Sequence, residues 1–339
     1  MTALENSATV RAAVPIGDIA SKLAIFLLLV ALVVLFEAEE PAFLNIANLF
    51  SILQAVSITA LLGVGITVTL AVGGFDLSAG SMAAFAQMAA SYVLVVMQGS
   101  ALDAVVTCVA IGALVGLANA LLIVRIGVPD LLATLGTLFL LVGLELIPTG
   151  GRSISTGAIL PSGYVAHGAF PPEFLALGRL QLGGVVPVPV VVLAVVTAIV
   201  WFVMERTRWG RVFYAIGGNE IAARLAGAPT SRYRVAAYVI SGAIAALGGV
   251  LLAARVGRGD VSAGNSLLLD SVAAALIGYA VLGVNYPNVF GTVVGAIFVG
   301  ILLNGLTMLN APYYTQDFVK GAVLVGALAL TFGLRRKAR

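Results

Sequence analysis

Ten apolar runs, near 19–36, 49–72, 80–97, 103–124, 130–148, 187–204, 236–254, 271–285, 289–309 and 317–334, account for most of the 339 residues. A helix needs roughly 20 apolar residues to cross a bilayer, and only structures that satisfy their own backbone polar groups can do so. The runs therefore predict an all-α polytopic membrane protein with about ten transmembrane helices. Composition agrees, with 61% hydrophobic and 10% charged residues, where a soluble domain carries about 25% charged. The eighth run is short and holds Gly278, Tyr279 and Gly283, which predicts a broken or re-entrant helix there.

Charge sets the orientation. Arg11, Lys22, Arg125, the Arg-rich stretch after the sixth run and the C-terminal Arg335, Arg336, Lys337 and Arg339 fall on one side, while Glu37, Glu39, Glu40 and Asp103 fall on the other. An excess of Lys and Arg marks the cytoplasmic side, so both ends are expected there. Arg255 and Arg258 are exceptions, outside by this count. Residues 1–18 lack a basic start leading into an apolar core, and they read as a retained cytoplasmic tail. The chain 1–339 thus reads as one membrane domain. Its net charge of +3 follows from the topology and gives no argument for nucleic acid. Cys108 is the single cysteine, which excludes a disulfide framework and a thiolate metal cluster, and no metal site is expected.

Two polar segments interrupt the pattern. An outer loop over 149–186 is rich in Gly, Pro and Ser and carries the sole histidine, His167. A cytoplasmic loop over 205–235 carries Arg206, Arg208, Arg211, Arg224, Arg232 and Arg234 against Glu205 and Glu220. At its centre Asn219 suits an N-cap, Glu220 puts a negative charge in the first turn, and Ala222, Ala223, Leu225 and Ala226 are adequate helix formers. Gly227 and Pro229 then end the helix. Two turns bury too little to be stable alone, so the segment reads as a docking element for a cytosolic partner.

The halves of the chain echo each other. Val72–Gly80, VGGFDLSAG, matches Val256–Gly264, VGRGDVSAG, at six of nine positions, each following the first span of a four-span group. Those spans cross in opposite directions, which predicts an inverted repeat of two four-helix groups, as in many transporters. Gly112/Gly116 and Gly291/Gly295 have the spacing that lets membrane helices approach closely, within one subunit or between two.

Polar residues at membrane depth are costly and so are candidates for function. Gln54, Asn119, Glu145 and Asn304 are the candidates for a solute path. Asp76 and Asp260 are expected to be structural, capping the following helices with Ser78 or Ser262. Gly257-Arg-Gly-Asp260 also matches the G-x-G-D pattern of intramembrane aspartyl proteases, with Phe75-Asp76 as the second carboxylate. Such a dyad must share a proton in an apolar site, and Arg255 and Arg258 argue for a solvated, ionised Asp260 instead. A Ser-His pair is weaker still, because His167 lies in the outer loop. Lys22, Lys320 and Lys337 are the three lysines, none in a phosphate-loop context, so any nucleotide hydrolysis must come from a partner.

These residues resemble the membrane permeases of bacterial ABC importers for ribose, xylose, galactose and related solutes, within the superfamily that includes branched-chain amino acid permeases. The resemblance rests on Gly73-Gly-Phe-Asp-Leu-Ser-Ala-Gly-Ser81, on Ala133-Thr-Leu-Gly-Thr137, on Gly217-Gly-Asn-Glu-Ile-Ala-Ala-Arg-Leu-Ala-Gly227, on Asn304-Gly-Leu306 and on Tyr313 to Lys320. It implies a transport subunit of the inner membrane for a monosaccharide or similar solute, without its own ATPase site. It further implies a second permease copy or paralogue, cytosolic ATPases that use ATP and Mg, and a periplasmic solute-binding protein. Gly218, Asn219, Glu220, Ala222, Ala223, Arg224, Leu225 and Gly227 would form the ATPase-coupling helix. A nucleoside, an autoinducer sugar or a branched-chain amino acid is the alternative cargo. The stretch Leu276–Phe290 departs from the family, with Tyr279, Asn285, Tyr286 and Pro287 at a turn usually built of glycines.

Overall fold

The computed structural model describes residues 16–281 and 286–337. Most of the 1–18 tail, four residues of the atypical turn (282–285) and Arg339 lie outside the described residues. Over its described residues each of the ten apolar runs falls in a helix: α1 (Ile16–Glu39), α2 (Ile46–Ala71), α3 (Ala79–Val96), α4 (Ala101–Ile126), α5 (Asp130–Thr149), α7 (Val188–Arg206), α10 (Thr230–Val256), α11 (Gly264–Val281), α12 (Val289–Met308) and α13 (Tyr313–Lys337). Seven of these, α2 to α5, α7, α10 and α12, are long and apolar enough to cross a membrane. Shorter elements lie between them: α6 (Pro172–Arg179), the two-stranded hairpin Gln181–Leu182 with Val186–Pro187, α8 (Arg208–Gly218) and α9 (Glu220–Leu225).

Large apolar side chains lie on both faces of the helices: Leu114, Phe139 and Ile199 face outward, while the interior combines Leu61, Leu62, Ile66 and Met82 with many Ala, Gly, Ser and Thr. Lipid is as apolar as leucine, so the helices associate through close packing rather than by hiding large apolar groups from water. The apolar windows of α2, α3 and α10 are 67%, 72% and 61% buried, against 33%, 22% and 28% for α4, α5 and α7. The first three are the core, and the others face lipid on one side.

Small residues set the contacts. A Cβ on Gly112 would strike the Gly242 carbonyl, and one on Gly116 the Tyr238 carbonyl, which locks α4 against α10. Gly291 meets the Gly278 carbonyl and Gly295 the Ala274 carbonyl, which locks α12 against α11. Both glycine pairs are thus packing devices inside one subunit. Gly278 does not break the eighth run: α11 is continuous over Gly264–Val281, and this glycine is where α12 approaches it, while Gly283 lies outside the described residues.

The packing obeys the inverted repeat. With α2, α3, α4 and α5 exchanged for α10, α11, α12 and α13, the contact of α4 with α10 becomes that of α12 with α2, and α3 with α10 becomes α11 with α2. All four contacts are present. The first spans of the two groups are antiparallel, because Gly178 receives a hydrogen bond from Gln54 near the start of α2 and packs on Arg255 at the end of α10.

Candidate functional site

The polar loop over 205–235 is built from two amphipathic pieces. In α8, Thr207 caps Trp209 N (3.1 Å), and Gly210, Phe213 and Ile216 turn inward while Arg208 and Arg211 face out. Trp209 and Phe213 pack edge-on against Tyr233 of α10, with ring centroids 4.9 and 5.9 Å apart. In α9, the Asn219 side chain accepts from Ala222 N (3.0 Å), and Gly227 ends the helix in the left-handed region at φ 85°. Both features match the sequence expectation.

Polar pairs hold this short helix in place. Glu220 pairs with Arg224 (2.8 Å) and with Arg234 (3.2 Å), and Arg234 reaches Asp130 at the start of α5 (2.9 Å). Ala223 is buried against the protein. Ile221 and Leu225, four residues apart on one face, are 73% and 85% exposed. Two large apolar side chains exposed side by side on a short polar helix are a docking surface in form.

Directly beneath lies a buried polar centre. Asp76, in the turn between α2 and α3, accepts from Ser78 N (2.9 Å), Ser78 Oγ (2.6 Å) and Ser241 Oγ of α10 (2.8 Å). Asn119 of α4 donates to Ser78 Oγ (2.9 Å) and accepts from Thr137 Oγ1 of α5 (2.6 Å). Four elements meet here and each of these donors has its acceptor, which a buried network needs if it is to stabilise. Gly74 must be glycine, since a Cβ there would meet Tyr238 Oη and, at 2.8 Å, Asp130 Oδ2.

The second copy of the turn repeats the chemistry at the other end. Asp260 Oδ1 accepts from Ser262 N (3.0 Å) and Ser262 Oγ (2.8 Å), while Arg258 holds the other oxygen (2.8 Å). The Ser262 hydroxyl and amide, helped by Arg258, keep the Asp260 carboxyl below its ordinary range. Neither aspartate caps a helix as expected: each instead closes a two-residue turn onto its serine, and Ser78 at the N-cap of α3 makes no side-chain capping bond. The two carboxylates have separate partner sets, one in the protein interior and one beside an arginine, which is not the shared-proton arrangement of an aspartyl protease.

The four residues proposed from sequence for a solute path are not brought together. Gln54 spends its amide on the Gly178 carbonyl (3.0 Å), tying α2 to α6. Asn119 is fully buried in the Asp76 network. Glu145 is buried at the end of α5 in an apolar pocket with Met88, Tyr92 and Thr107, and one of its oxygens has no hydrogen-bond partner among the described residues. Asn304 exchanges two amide hydrogen bonds, both 3.1 Å, with Asn48 of α2. It also borders a cavity of about 320 Å³ between α2, α11 and α12, with Ser51, Thr59, Asp270 and Thr307.

Sequence reading missed Asp270 and its ion pair with Lys320 of α13 (2.7 Å). A signal was present: Lys320 sits inside the tenth apolar run, and Asp270 directly precedes the eighth. The atypical stretch also acquires a role, since the Tyr286 ring packs at a tilt against Tyr214 of α8 (centroids 4.7 Å apart) and Tyr214 Oη donates to the Pro287 carbonyl (3.0 Å).

The family described as branched-chain amino acid transport system, permease component, matches residues 48–328. The chain belongs to that family. The ribose import permease protein RbsC of Escherichia coli (strain K12) is 33% identical over 300 residues, covering 88% of this chain and 90% of that protein. The RbsC of Bacillus subtilis (strain 168) is 33% identical over 312 residues, covering 91% and 92%. The galactose/methyl galactoside import permease protein MglC of Haemophilus influenzae (strain ATCC 51907 / DSM 11121 / KW20 / Rd) is 29% identical over 328 residues, covering 92% and 94%. No solved structure matches. The chain is a multi-pass inner-membrane protein and a transport subunit rather than a catalyst.

Proposed function

We propose that the chain is the membrane permease of an ATP-binding-cassette importer that brings a monosaccharide or similar uncharged, polyhydroxylated solute into the cell. The observation that carries the importer reading is α9, a capped and ion-paired cytosolic helix that offers Ile221 and Leu225 to solvent. Relatives named for ribose and galactose import support the choice of cargo.

In this reading a cytosolic ATPase uses ATP and Mg and seats α9 in a groove. Differential affinity of that ATPase for two permease states shifts the membrane domain between outward- and inward-open forms. A periplasmic solute-binding protein delivers the sugar, and a second permease copy or paralogue completes the passage. The experiment is uptake of radiolabelled D-ribose, D-galactose and L-leucine by vesicles holding the permease with its ATPase and binding protein. ATP-dependent uptake of a sugar but not of leucine is expected; uptake of leucine alone would give the branched-chain amino acid reading.

A further inference from the structure

The cavity between α2, α11 and α12 is bordered by groups that suit a sugar. Ser51 and Thr59 come from α2, Asp270 from α11, Asn304 and Thr307 from α12, set among Ile52, Val56, Val299 and Leu303. Hydroxyls and an amide can each donate and accept, and a carboxylate accepts strongly from hydroxyl donors. A mixture of a few polar groups on an apolar wall is the ordinary make-up of a small-molecule site, and about 320 Å³ is near the small end of such sites.

Asp270 is the unusual member. A carboxylate within an apolar bundle is costly to keep and needs a partner. Lys320 supplies it at 2.7 Å and also lies 3.4 Å from Asp317, with Asp270 and Lys320 side chains each 15% exposed. Asp270 borders the cavity while Lys320 reaches it from α13. Lys320 offsets the Asp270 charge at the cavity wall, while Asp317, the second carboxylate on Lys320, is solvent-exposed, so the cavity presents an acceptor whose charge is largely balanced.

Depth agrees. In the expected topology α2 and α11 start on the outer side, and Ser51 and Asp270 lie within the first two turns of their helices. Thr307 and Asn304 are in the last turns of α12, which ends on that side. The cavity therefore sits in the outer half of the membrane, where a solute from the binding protein first meets the permease.

We infer that this cavity is the outer sugar-receiving site of the permease, with Asp270, fixed by Lys320, as the acceptor for sugar hydroxyls. The inference rests on the sugar-importer reading. The competing role for the pair is a pin between α11 and α13, and a charge-reversed pair separates the two.

The test uses the complete transporter in vesicles with labelled D-ribose and D-galactose. Asp270→Asn and Thr59→Val are expected to raise the half-saturating sugar concentration about tenfold or more, as loss of hydrogen bonds to a charged or buried group would. The reversed pair, Asp270→Lys with Lys320→Asp, is expected to restore complex recovery and basal ATP hydrolysis but not sugar uptake. Restored uptake in the reversed pair, or unchanged saturation in both single variants, overturns the site. A Ser51→Cys variant in a Cys108→Ala background gives a readout independent of rate: saturating sugar should slow its labelling by a thiol reagent, and equal labelling with and without sugar counts against the site. If the unaltered transporter takes up neither sugar, the sugar-importer reading itself fails, which the variants alone would not produce.

Discussion

Arg234 Nη2 lies 2.9 Å from Oδ1 and 3.1 Å from Oδ2 of Asp130, while its Nη1 lies 3.2 Å from Oε2 of Glu220. One planar guanidinium therefore joins α9 to the first turns of both α5 and α10. Those two helices also contribute Thr137 and Ser241 to the network around Asp76. A displacement of α9 by a bound ATPase has a short polar route into the membrane domain.

Arg234→Met should leave the Ile221 and Leu225 face intact and break this route. The ATPase should still be recovered with the permease, while sugar moved per ATP hydrolysed falls. Arg234→Lys should rescue only part, because a point charge cannot bridge two carboxylates as a fork does. An unchanged transport ratio in the Met variant would show that the pair transmits nothing.

Ile221→Glu with Leu225→Glu should abolish ATPase association without affecting membrane insertion, since both side chains are solvent-facing. Asn219→Ala, which removes a helix cap, should weaken association less, at a cost of about 1 kcal/mol in local helix stability. Co-purification of the two subunits measures both.

Gly112→Leu and Gly295→Leu should each prevent folding or lower the thermal midpoint of the purified protein sharply, because the added side chain meets backbone of α10 or α11. Overpacking a close contact costs about 1–3 kcal/mol or more. Gly143→Ala in α5 meets nothing within 4 Å and should be neutral or stabilising by up to about 1 kcal/mol. A loss at Gly143 as large as at Gly112 would contradict the packing described.

Orientation is open to thiol labelling. In a Cys108→Ala background, Ser162→Cys in the outer loop should react with an impermeant reagent in intact cells. Ser231→Cys, exposed at the start of α10, should react only after permeabilisation. Thr230 next to it is buried and could not report on sidedness. The reverse pattern would place α9 outside the cell.

The helices and the cap of α9 were legible in the sequence because each depends on neighbours in the chain: an apolar run, an Asn before an Ala-rich turn, a Gly after it. The polar pairings were not. Arg234 and Asp130 are separated by 104 positions, Asn304 and Asn48 by 256, and no local pattern joins such residues. Asp270 was hidden by the hydropathy reading itself, since a carboxylate ends an apolar run on paper even where the helix continues through it. Gly278 misled in the opposite way, as a glycine that signals a break in isolation serves close approach when a second helix lies against it.

The twin aspartate turns differ in whom they depend on. The Asp260 carboxylate bonds only to Arg258 and Ser262 among the described residues, yet its turn is anchored through the backbone: Gly259 exchanges two hydrogen bonds with Ile154, and the Arg258 carbonyl accepts from Gln87 of α3. Asp76 draws on Ser241, and through Ser78 on Asn119 and Thr137, so the inner turn cannot shift without breaking bonds to three other helices. The same local knot thus stands in both turns, fastened by side-chain bonds to other helices in one and largely by backbone bonds to a neighbouring loop in the other, so side-chain substitutions can loosen the first while leaving the fastening of the second in place.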